Sequence, residues 1–380
     1  MNILHLLSWC PNPDDPTLGN FCIRMINALP DCNSIVLSAY EDKNMTSGHE
    51  IHDEQIENHR MVRIHYAPKR KGLLRKLHII KMYNVGLQYI TNKHFTPDLV
   101  HLHVAYPMGI IALLWKWKHG LRYVLTEHWT IYQPQNADML KGFMKKAIVM
   151  TGNNASAIMP VSLDLQRNME RIGIKNRFKV IYNSVDTSIF RLGEPQHGTK
   201  KNILHISTLR DEAKNFSGIL RTIERLRRQR DDFVLHVIHD YEAPEFKAFV
   251  KEHNLTDCVI FHGKKTSQEV AEAYQSADFF VLFSNFENLP CVIVEAFASG
   301  VPVVSTNVGG IAEILAPERG LLISQGDEEA LFQSLSHILD HSGDYDRQAI
   351  RRYAIETFAA EKIGEEIFAQ YKAVCGSMTA

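Results

Sequence analysis

The chain has 380 residues, of which 45% are hydrophobic and 22% are charged, so ordinary domain sizes predict two or three domains. Its 42 Lys and Arg residues nearly balance its 43 Asp and Glu residues, and this net charge gives no indication of a nucleic-acid partner. The six cysteines show no C-x-x-C or metal-ligand spacing, which indicates free thiols in a reducing cytoplasm.

The sequence predicts neither a signal peptide nor a membrane-spanning helix. Residues Met1–Leu7 lack a basic region and are typical of a strand. The most apolar span, Met108–Trp115, is too short to cross a bilayer.

Apolar strands alternate with helical patterns along the whole chain, which predicts parallel α/β sheets. In the first half, strands are predicted near residues 2–7, 34–38, 61–66, 98–103, 122–126, 157–160 and 178–181. A turn-rich linker at residues 193–198 follows. In the second half, strands are predicted near residues 202–207, 233–238, 258–262, 279–283, 301–305 and 320–323, and a last helix near 360–374.

Two glutamates separated by seven residues follow the predicted strand Phe279–Phe283. Glu287 lies in a polar turn, and Glu295 lies in an apolar helix that starts near Pro290 and ends at Gly300. Such a helix should be buried all round, so Glu295 would lack a partner unless a polar ligand lies beside it. The free amides at the helix start favour phosphate. The alternative is that Glu295 reaches solvent and Glu287 is a loop charge.

The stretch Ser284–Thr306 resembles the retaining, nucleotide-sugar-dependent glycosyltransferases of family 4. These enzymes have the GT-B fold, in which two Rossmann-like parallel α/β domains face a cleft, and the likeness runs from the first strand to the last helix. The resemblance implies that Glu287 lies by the transferred sugar and that Glu295 holds the ribose hydroxyls of the donor.

The resemblance also implies the domain boundaries, because Asn183–Asp186 matches the hinge of the family. We expect an acceptor-side domain over residues 1–185 and a nucleotide-sugar domain over residues 186–354. The C-terminal helix, within residues 355–380, would cross back to the first domain.

A cation where strand 202–207 meets the next helix could neutralise the leaving diphosphate. Lys214 matches the phosphate lysine of the family, and Asn215 follows it as in many relatives. The family usually has an arginine where Thr208 stands, so either Arg210 replaces it or the site has one fewer cation. Read locally, Lys214 could equally be an exposed residue near a helix start.

Further donor contacts are implied at two places. The helix start at residues 289–292, with Leu289, Cys291 and Val292, would present backbone amides to the diphosphate. Gly263 and Lys264 would lie near the base and bind it through backbone groups. Relatives have a glycine-rich turn where Val237–Tyr241 stands, which is a departure from the family pattern.

In the first half, two strands end in histidines, which can exchange protons or bind sugar hydroxyls. His128 matches the family's cleft histidine, which contacts the donor sugar. His103 matches the second histidine of the H-x-H strand, and we assign it with Glu127 to the acceptor side. Because the chain has 19 histidines, a structural role is the alternative for each.

A metal cluster of these histidines with Glu127 is discounted, because no H-E-x-x-H spacing occurs. The D-x-D sequence at Asp344–Asp346 follows a helix, so a helix cap is predicted there in place of a manganese site. We therefore expect no metal and no cofactor apart from the donor substrate.

Two glycines fit loops that approach a ligand or a neighbouring loop. Gly19 matches the glycine loop of the family, which approaches the diphosphate and the acceptor, although a plain loop would have the same sequence. Gly309 is predicted to form a close-packing turn.

The resemblance implies a retaining glycosyltransferase that moves a sugar from a nucleoside diphosphate donor to a glycan or lipid-linked glycan, in surface polysaccharide biosynthesis. The alternatives are a nucleotide-sugar epimerase of the same fold and a degenerate carbohydrate- or nucleotide-binding protein.

The densest basic run is Lys69–Tyr83, in which Leu73, Leu77 and Ile80 recur at helical spacing. We predict peripheral binding of the Lys69–Lys81 segment to anionic lipid at the inner face of the cell membrane. The alternative is an ordinary surface helix whose leucines pack on the sheet of the first domain.

Overall fold

A computed structural model describes residues 1–15, 17–30, 32–68, 72–193 and 198–376. The chain divides into two compact units. Unit 1 is Met1–Tyr182 with the described residues from Glu361 onward, and unit 2 is Asn183–Ala360. Residues 355–360, which we had grouped with the C-terminal helix of the first domain, therefore belong to unit 2.

Unit 1 contains a seven-stranded sheet in the order β3-β4-β2-β1-β5-β6-β7. Strands β1, β2, β4, β5, β6 and β7 are parallel, and β3 is antiparallel to β4. The strands are β1 (Asn2–Leu7), β2 (Asn33–Glu41), β3 (His49–Ile56), β4 (His59–Tyr66), β5 (Leu99–His103), β6 (Tyr123–Glu127) and β7 (Ile158–Pro160). The helices are α1 (Asn20–Asn27), α2 (Leu73–Lys93), α3 (Gly109–His119), α4 (Gly142–Asn154) and α5 (Leu163–Arg171).

Unit 2 contains a six-stranded parallel sheet in the order β10-β9-β8-β11-β12-β13. The strands are β8 (Lys201–Ser207), β9 (Phe233–His239), β10 (Val259–Gly263), β11 (Phe279–Leu282), β12 (Val303–Thr306) and β13 (Gly320–Ile323). The helices are α6 (Asp211–Lys214), α7 (Phe216–Arg227), α8 (Pro244–Glu252), α9 (Ser267–Ser276), α10 (Cys291–Ala298), α11 (Ile311–Ile314), α12 (Glu328–His341) and α13 (Arg347–Phe358). The last helix, α14 (Ala360–Gly376), starts at the last residue of unit 2 and otherwise belongs to unit 1.

The strands of unit 1 differ from the prediction at two places. Strand β3 is not predicted from the sequence, because its residues are mostly polar and exposed, as is usual for an edge strand. Residues 178–181 form only an isolated bridge between Ile158 and Phe178. The segment lies along β7, with the Lys179 amide donating to the Ile158 carbonyl over 2.9 Å, but Pro160 has no amide to continue the ladder.

The buried segments agree with the apolar runs in the sequence. Strands β5 and β6 are buried at every residue, as expected for central parallel strands. The last helix packs within unit 1, where the Tyr371 hydroxyl lies 2.6 Å from His101 Nδ1 and the Arg122 guanidinium donates to the Val374 carbonyl. Among the described residues, no helix combines the length and the apolar character that a membrane crossing requires.

Candidate active site

The two glutamates of unit 2 lie where β11 leads into α10, at the carboxyl edge of the sheet. Glu287 is in the connecting loop and is 7% exposed, although it is charged. One of its carboxylate oxygens, Oε1, accepts a 2.8 Å hydrogen bond from the Ser284 hydroxyl. The same oxygen pairs with the Lys214 ammonium. Two opposite charges are thus held together largely out of water, where each depends on the other.

The loop that carries Glu287 is tied to the short helix that carries Lys214. The Asn285 amide donates to the Ala213 carbonyl over 2.8 Å, and the Asn285 side chain donates to the Glu212 carbonyl over 3.0 Å. Asn215 then adopts a left-handed conformation (φ 46°, ψ 45°), which ends α6 and starts α7. The sequence placed Lys214 near a helix start, and the structure brings it to Glu287.

A glycine turn supports the same loop from the other side. Gly309 has φ +56°, and a Cβ on it would lie 2.1 Å from the Glu287 carbonyl oxygen. The Gly310 amide donates to the Asn288 carbonyl over 2.6 Å. The prediction of a close-packing turn at Gly309 is confirmed, and its packing partner is the loop of Glu287.

Glu295 lies within α10, whose residues Ile293–Ala298 are all buried. Glu295 is only 5% exposed, so the alternative interpretation, in which its carboxylate reaches solvent, is wrong. The expectation that it lacks a partner is also wrong, because Glu295 has an electrostatic or hydrogen-bonding partner within the protein. Pro290 precedes the helix as its N-cap with φ −70°.

The predicted donor residues near the start of α10 take part in local structure. The Leu289 carbonyl accepts a 2.7 Å hydrogen bond from the Asn183 side chain, and the Val292 carbonyl accepts one from the Tyr274 hydroxyl at 2.7 Å. Cys291 is partly buried and does not belong to a disulfide. These carbonyl contacts fix the first turn of α10 in place, and its leading amides remain the groups predicted to bind phosphate.

Arg210 precedes α6, and its guanidinium stacks over the Tyr241 ring at 5.3 Å from the centroid. It also donates to the Tyr241 hydroxyl over 3.3 Å. Tyr241 follows β9, where relatives have the glycine-rich turn. The departure at Val237–Tyr241 therefore supplies a partner for Arg210 that the sequence did not indicate. Of the two residues predicted to bind the base, Gly263 ends β10 and Lys264 is exposed.

In unit 1, Glu127 ends β6 and is fully buried. Its carboxylate accepts four hydrogen bonds of 2.7–3.0 Å, from the backbone amides of Ala105, His128 and Trp129 and from the Tyr132 hydroxyl. Burial raises the pKa of Glu127, and these four donors oppose the shift. We infer that Glu127 positions the chain around His128, while its predicted place on the acceptor side remains a prediction.

His128 follows Glu127 and is partly buried beside an aromatic cluster. Its ring lies 4.6 Å from the Phe21 ring, and the Trp9 ring packs edge-on against Phe21 and Trp129. Gly19, two residues before Phe21, has φ +73°, and a Cβ there would lie 2.1 Å from the Trp9 carbonyl oxygen. The structure thus brings the Gly19 loop to the neighbourhood of His128.

His103 is fully buried and belongs to a cluster with His5 and His101. The rings of His101 and His103 stack at 3.9 Å, and His5 Nδ1 lies 3.4 Å from His103 Nε2. Burial lowers the pKa of His5 to about 3 and holds the pKa values of His101 and His103 well below their usual range. These histidines are neutral, because the protein core disfavours their charge.

The D-x-D sequence is a helix cap, as predicted. The Asp346 carboxylate accepts hydrogen bonds from the backbone amides of Gln348 and Ala349 at 3.0 Å, and so begins α13. Asp344 pairs with His341 at 3.0 Å.

Comparison with known proteins identifies the family of both units. The family model "Glycosyltransferase Family 4" matches residues 42–189, and the model "Glycosyl transferases group 1" matches residues 200–341. The chain belongs to these glycosyltransferases.

Two curated relatives extend across most of the glycosyltransferase. An uncharacterized glycosyltransferase of Methanocaldococcus jannaschii is 26% identical over 83% of this chain and 88% of the relative. The N-acetyl-alpha-D-glucosaminyl L-malate synthase of Bacillus anthracis is 26% identical over 70% of this chain and 72% of its own length.

Solved structures show the fold of the glycosyltransferase. A sucrose-phosphate synthase from Thermosynechococcus elongatus has a TM-score of 0.83 at 17% identity, covering 99% of this chain and 100% of that one. Anabaena HepE in complex with UDP and glucose has a TM-score of 0.75 at 17% identity, covering 98% and 99%. The predicted GT-B class, with two parallel-sheet α/β domains, is confirmed apart from the antiparallel strand β3.

Sequence reasoning missed several residues that shape the glycosyltransferase. Ser284 and Asn285 precede Glu287 and fix its loop. Their polar character directly after an apolar strand was the feature of the sequence that could have indicated this role. Tyr241 and the aromatic residues around His128 gave no signal, because their partners are distant in sequence.

Proposed function

We propose that the protein is a retaining, metal-independent glycosyltransferase that uses a nucleoside diphosphate sugar. The observation that carries the proposal is the pair of Lys214 and Glu287, held at the carboxyl edge of a parallel sheet beside the first turn of α10. This edge is where open α/β folds bind nucleotides. The pair places a cation and a carboxylate at the start of a buried helix, as a leaving diphosphate and a reacting sugar require.

In the proposed reaction, the bond between the anomeric carbon and the diphosphate oxygen breaks first. Lys214 and the leading amides of α10 stabilise the negative charge that develops on the diphosphate. Glu287 orients the sugar, Glu295 binds the ribose hydroxyls, and His128 contacts the donor sugar. The acceptor hydroxyl forms its new bond on the face that the diphosphate leaves, and its proton passes to the diphosphate oxygen.

Two comparisons support the choice of donor class. HepE, which shares the fold, was solved with UDP and glucose, and the Bacillus anthracis relative is named for a glucosaminyl product. We propose a glycan or a lipid-linked glycan as the acceptor, a role in surface polysaccharide biosynthesis and a cytoplasmic location.

We also propose that the protein binds anionic lipid at the inner face of the cell membrane. Lys69, Arg70 and Lys71 lie outside the described residues, as does the side chain of Leu73. On the described part of α2, Leu74 is 64% exposed and Leu77 is 52% exposed, so Leu77 is not buried on the sheet as the alternative required. Lys76 lies 5.8 Å from the centroid of the Phe143 ring, which is 65% exposed, and this contact joins α2 to α4.

A panel of nucleoside diphosphate sugars tests the reaction. Each donor is incubated with the protein, with and without candidate acceptors, and the release of nucleoside diphosphate and the anomeric configuration of the product are followed by NMR. A retaining transferase consumes one donor and keeps its configuration. An epimerase converts one nucleotide sugar into another, and a binding protein only raises its melting temperature; either outcome would overturn the proposal.

A further inference from the structure

Unit 1 brings together three side chains of the types that bind metal ions, and the proposed transfer reaction does not use them as a set. Cys22 on α1, His103 at the end of β5 and His128 after β6 each contribute one ligand atom, and these atoms lie within 4.8 Å of one another. His103 aligns with Thr126 in the pairing of β5 and β6, so neighbouring parallel strands place both histidines at one edge of the sheet. Cys22 reaches them because its helix packs on that sheet, in a core cluster with Leu7 and Val36.

His103 is the residue that points to a ligand. Its Nε2 atom faces His5 Nδ1 at 3.4 Å, but its Nδ1 atom is buried without a hydrogen-bond partner. The whole residue is 0% exposed. A buried polar atom without a partner destabilises the fold, and a bound ligand would remove that penalty.

A second histidine set, His5, His101 and His103, is equally compact. Three of its six ring nitrogens contact hydroxyl groups. His101 contacts the Tyr371 hydroxyl at 2.6 Å and the Thr126 hydroxyl at 2.7 Å, and His5 Nε2 contacts the Ser34 hydroxyl at 3.3 Å. A metal ion there would have to displace these bonds, so this set is a hydrogen-bonded network that supports His103.

We propose that Cys22, His103 and His128 bind one Zn²⁺ ion. A thiolate and two neutral imidazoles are ligands that zinc prefers, and three protein ligands leave a fourth tetrahedral position for water. Zinc–ligand bonds are about 2.0–2.3 Å long, so the three side chains move towards a common centre when the ion binds. The thiol loses its proton to solvent on binding. Neither oxidation nor reduction is involved.

Zinc at this position would inhibit sugar transfer. The ion would hold the His128 imidazole, which is proposed to contact the donor sugar, and its water would occupy the adjacent space. This inhibition rests on the proposed function, whereas zinc binding by the three side chains does not. The two parts are therefore measured separately.

Zinc binding is measured on the full chain under reducing conditions, by competition with a chromogenic chelator. We expect one ion per chain, and we expect Cys22→Ala to weaken binding roughly 100-fold or more, since it removes one of three ligands. Cys258→Ala is the matched control, because Cys258 is also a buried cysteine outside any disulfide but lies in unit 2. Cys22→Ser provides a second variant if Cys22→Ala does not fold.

Cobalt substitution gives an independent readout, because a cysteine thiolate bound to Co²⁺ has a charge-transfer absorption band. We expect this band in the wild type and in Cys258→Ala, and its absence in both Cys22 variants. Zinc bound equally by the Cys22 variants, or not bound by the wild type, would overturn the proposal.

The activity arm uses the donor identified by the panel. We expect saturating Zn²⁺ to inhibit the wild type and Cys258→Ala at least tenfold, with activity restored by chelator. Cys22→Ala should keep its basal activity and resist zinc. If zinc binds as proposed but no transfer is found with any donor, the proposed function fails and the metal site stands. If transfer is found but zinc does not bind, the metal site fails alone.

Discussion

The buried carboxylate of Glu287 is paired with a cation that is distant in sequence. Lys214 and Glu287 have side chains that are 19% and 9% exposed, so removing either one leaves the other poorly solvated. Replacing one partner of such a pair destabilises the fold by more than the pair contributes, because the remaining buried charge loses its opposite charge.

Glu287 and Glu295 should differ in what their substitution changes. We expect Glu287→Gln to lower kcat about 100-fold or more, because its contact is made at the reacting sugar. We expect Glu295→Gln to raise KM for the donor about tenfold with kcat nearly unchanged, because a ribose contact is present in both ground and transition states.

Steady-state kinetics with varied donor concentration separates these effects. Glu365→Gln, an exposed glutamate of α14, is the control and should behave as the wild type. Full activity in Glu287→Gln would remove Glu287 from the mechanism.

At the scale of elements, strand β8 carries a histidine that must remain neutral. His205 is fully buried, and its nitrogens contact the Val281 carbonyl at 2.9 Å and the Ser207 hydroxyl at 2.8 Å. Burial lowers its pKa from 6.5 to about 4. The unfolded chain therefore takes up a proton that the folded chain does not between these two pH values.

Unit 2 should lose stability as the pH falls from about 6.5 towards about 4. Above pH 6.5, the neutral His205 should make its full contribution to the free energy of unfolding. The loss from this one residue is up to about 3 kcal/mol, at 1.4 kcal/mol per pH unit. Urea unfolding at several pH values measures it. His205→Gln should reduce the slope of the free energy of unfolding against pH by the equivalent of about one proton. His119→Gln, at the exposed end of α3, should leave this slope unchanged. An unchanged slope in His205→Gln would show that another group titrates.

Helix α2 is the element on which membrane binding is predicted. We expect sedimentation with anionic vesicles at low salt and release at high salt, because each Lys or Arg near such a surface contributes about 1 kcal/mol. Neutralising Lys69, Arg70, Lys71, Arg75 and Lys76 should abolish binding, and replacing Leu74 and Leu77 with serine should weaken it.

The matched control neutralises Lys247 and Lys251, which are exposed on α8 of unit 2. It should leave vesicle binding unchanged. The prediction fails if the wild type does not sediment with vesicles at low salt, or if the five-residue variant binds as strongly.

At the scale of the whole molecule, two α/β units are joined by one chain that returns to its first unit through α14. Stabilisation of the leaving group is assigned entirely to groups of this chain, Lys214 and the first turn of α10. The family matches fall in both units, so the proposed chemistry concerns both of them.

Transfer should proceed without a divalent metal. We expect activity in excess chelator to stay within about twofold of the untreated enzyme, since a side-chain cation and a helix start stabilise the diphosphate. The measurement is the initial rate of donor consumption with chelator, and then with added Mn²⁺. Complete loss in chelator that manganese restores would contradict this expectation.

The sequence alone determined the fold class and the main elements of the donor unit. Apolar strand β11, Pro290 and the apolar helix with Glu295 were readable, because burial demands apolar residues and a proline fits a helix start. The same reasoning located Lys214 and Glu287 separately. It missed β3, whose charged residues suit an exposed edge, and it predicted a strand at 178–181 that Pro160 interrupts.

Only the tertiary structure decided which side chains meet. The pairing of Lys214 with Glu287, the stacking of Arg210 on Tyr241 and the approach of Cys22 to His103 join residues that are far apart in the chain. Local sequence patterns indicate burial and periodicity, because both depend on the residues within one segment. Contacts between segments depend on how strands order in a sheet and how helices pack on it, and these properties arise only when the whole unit folds.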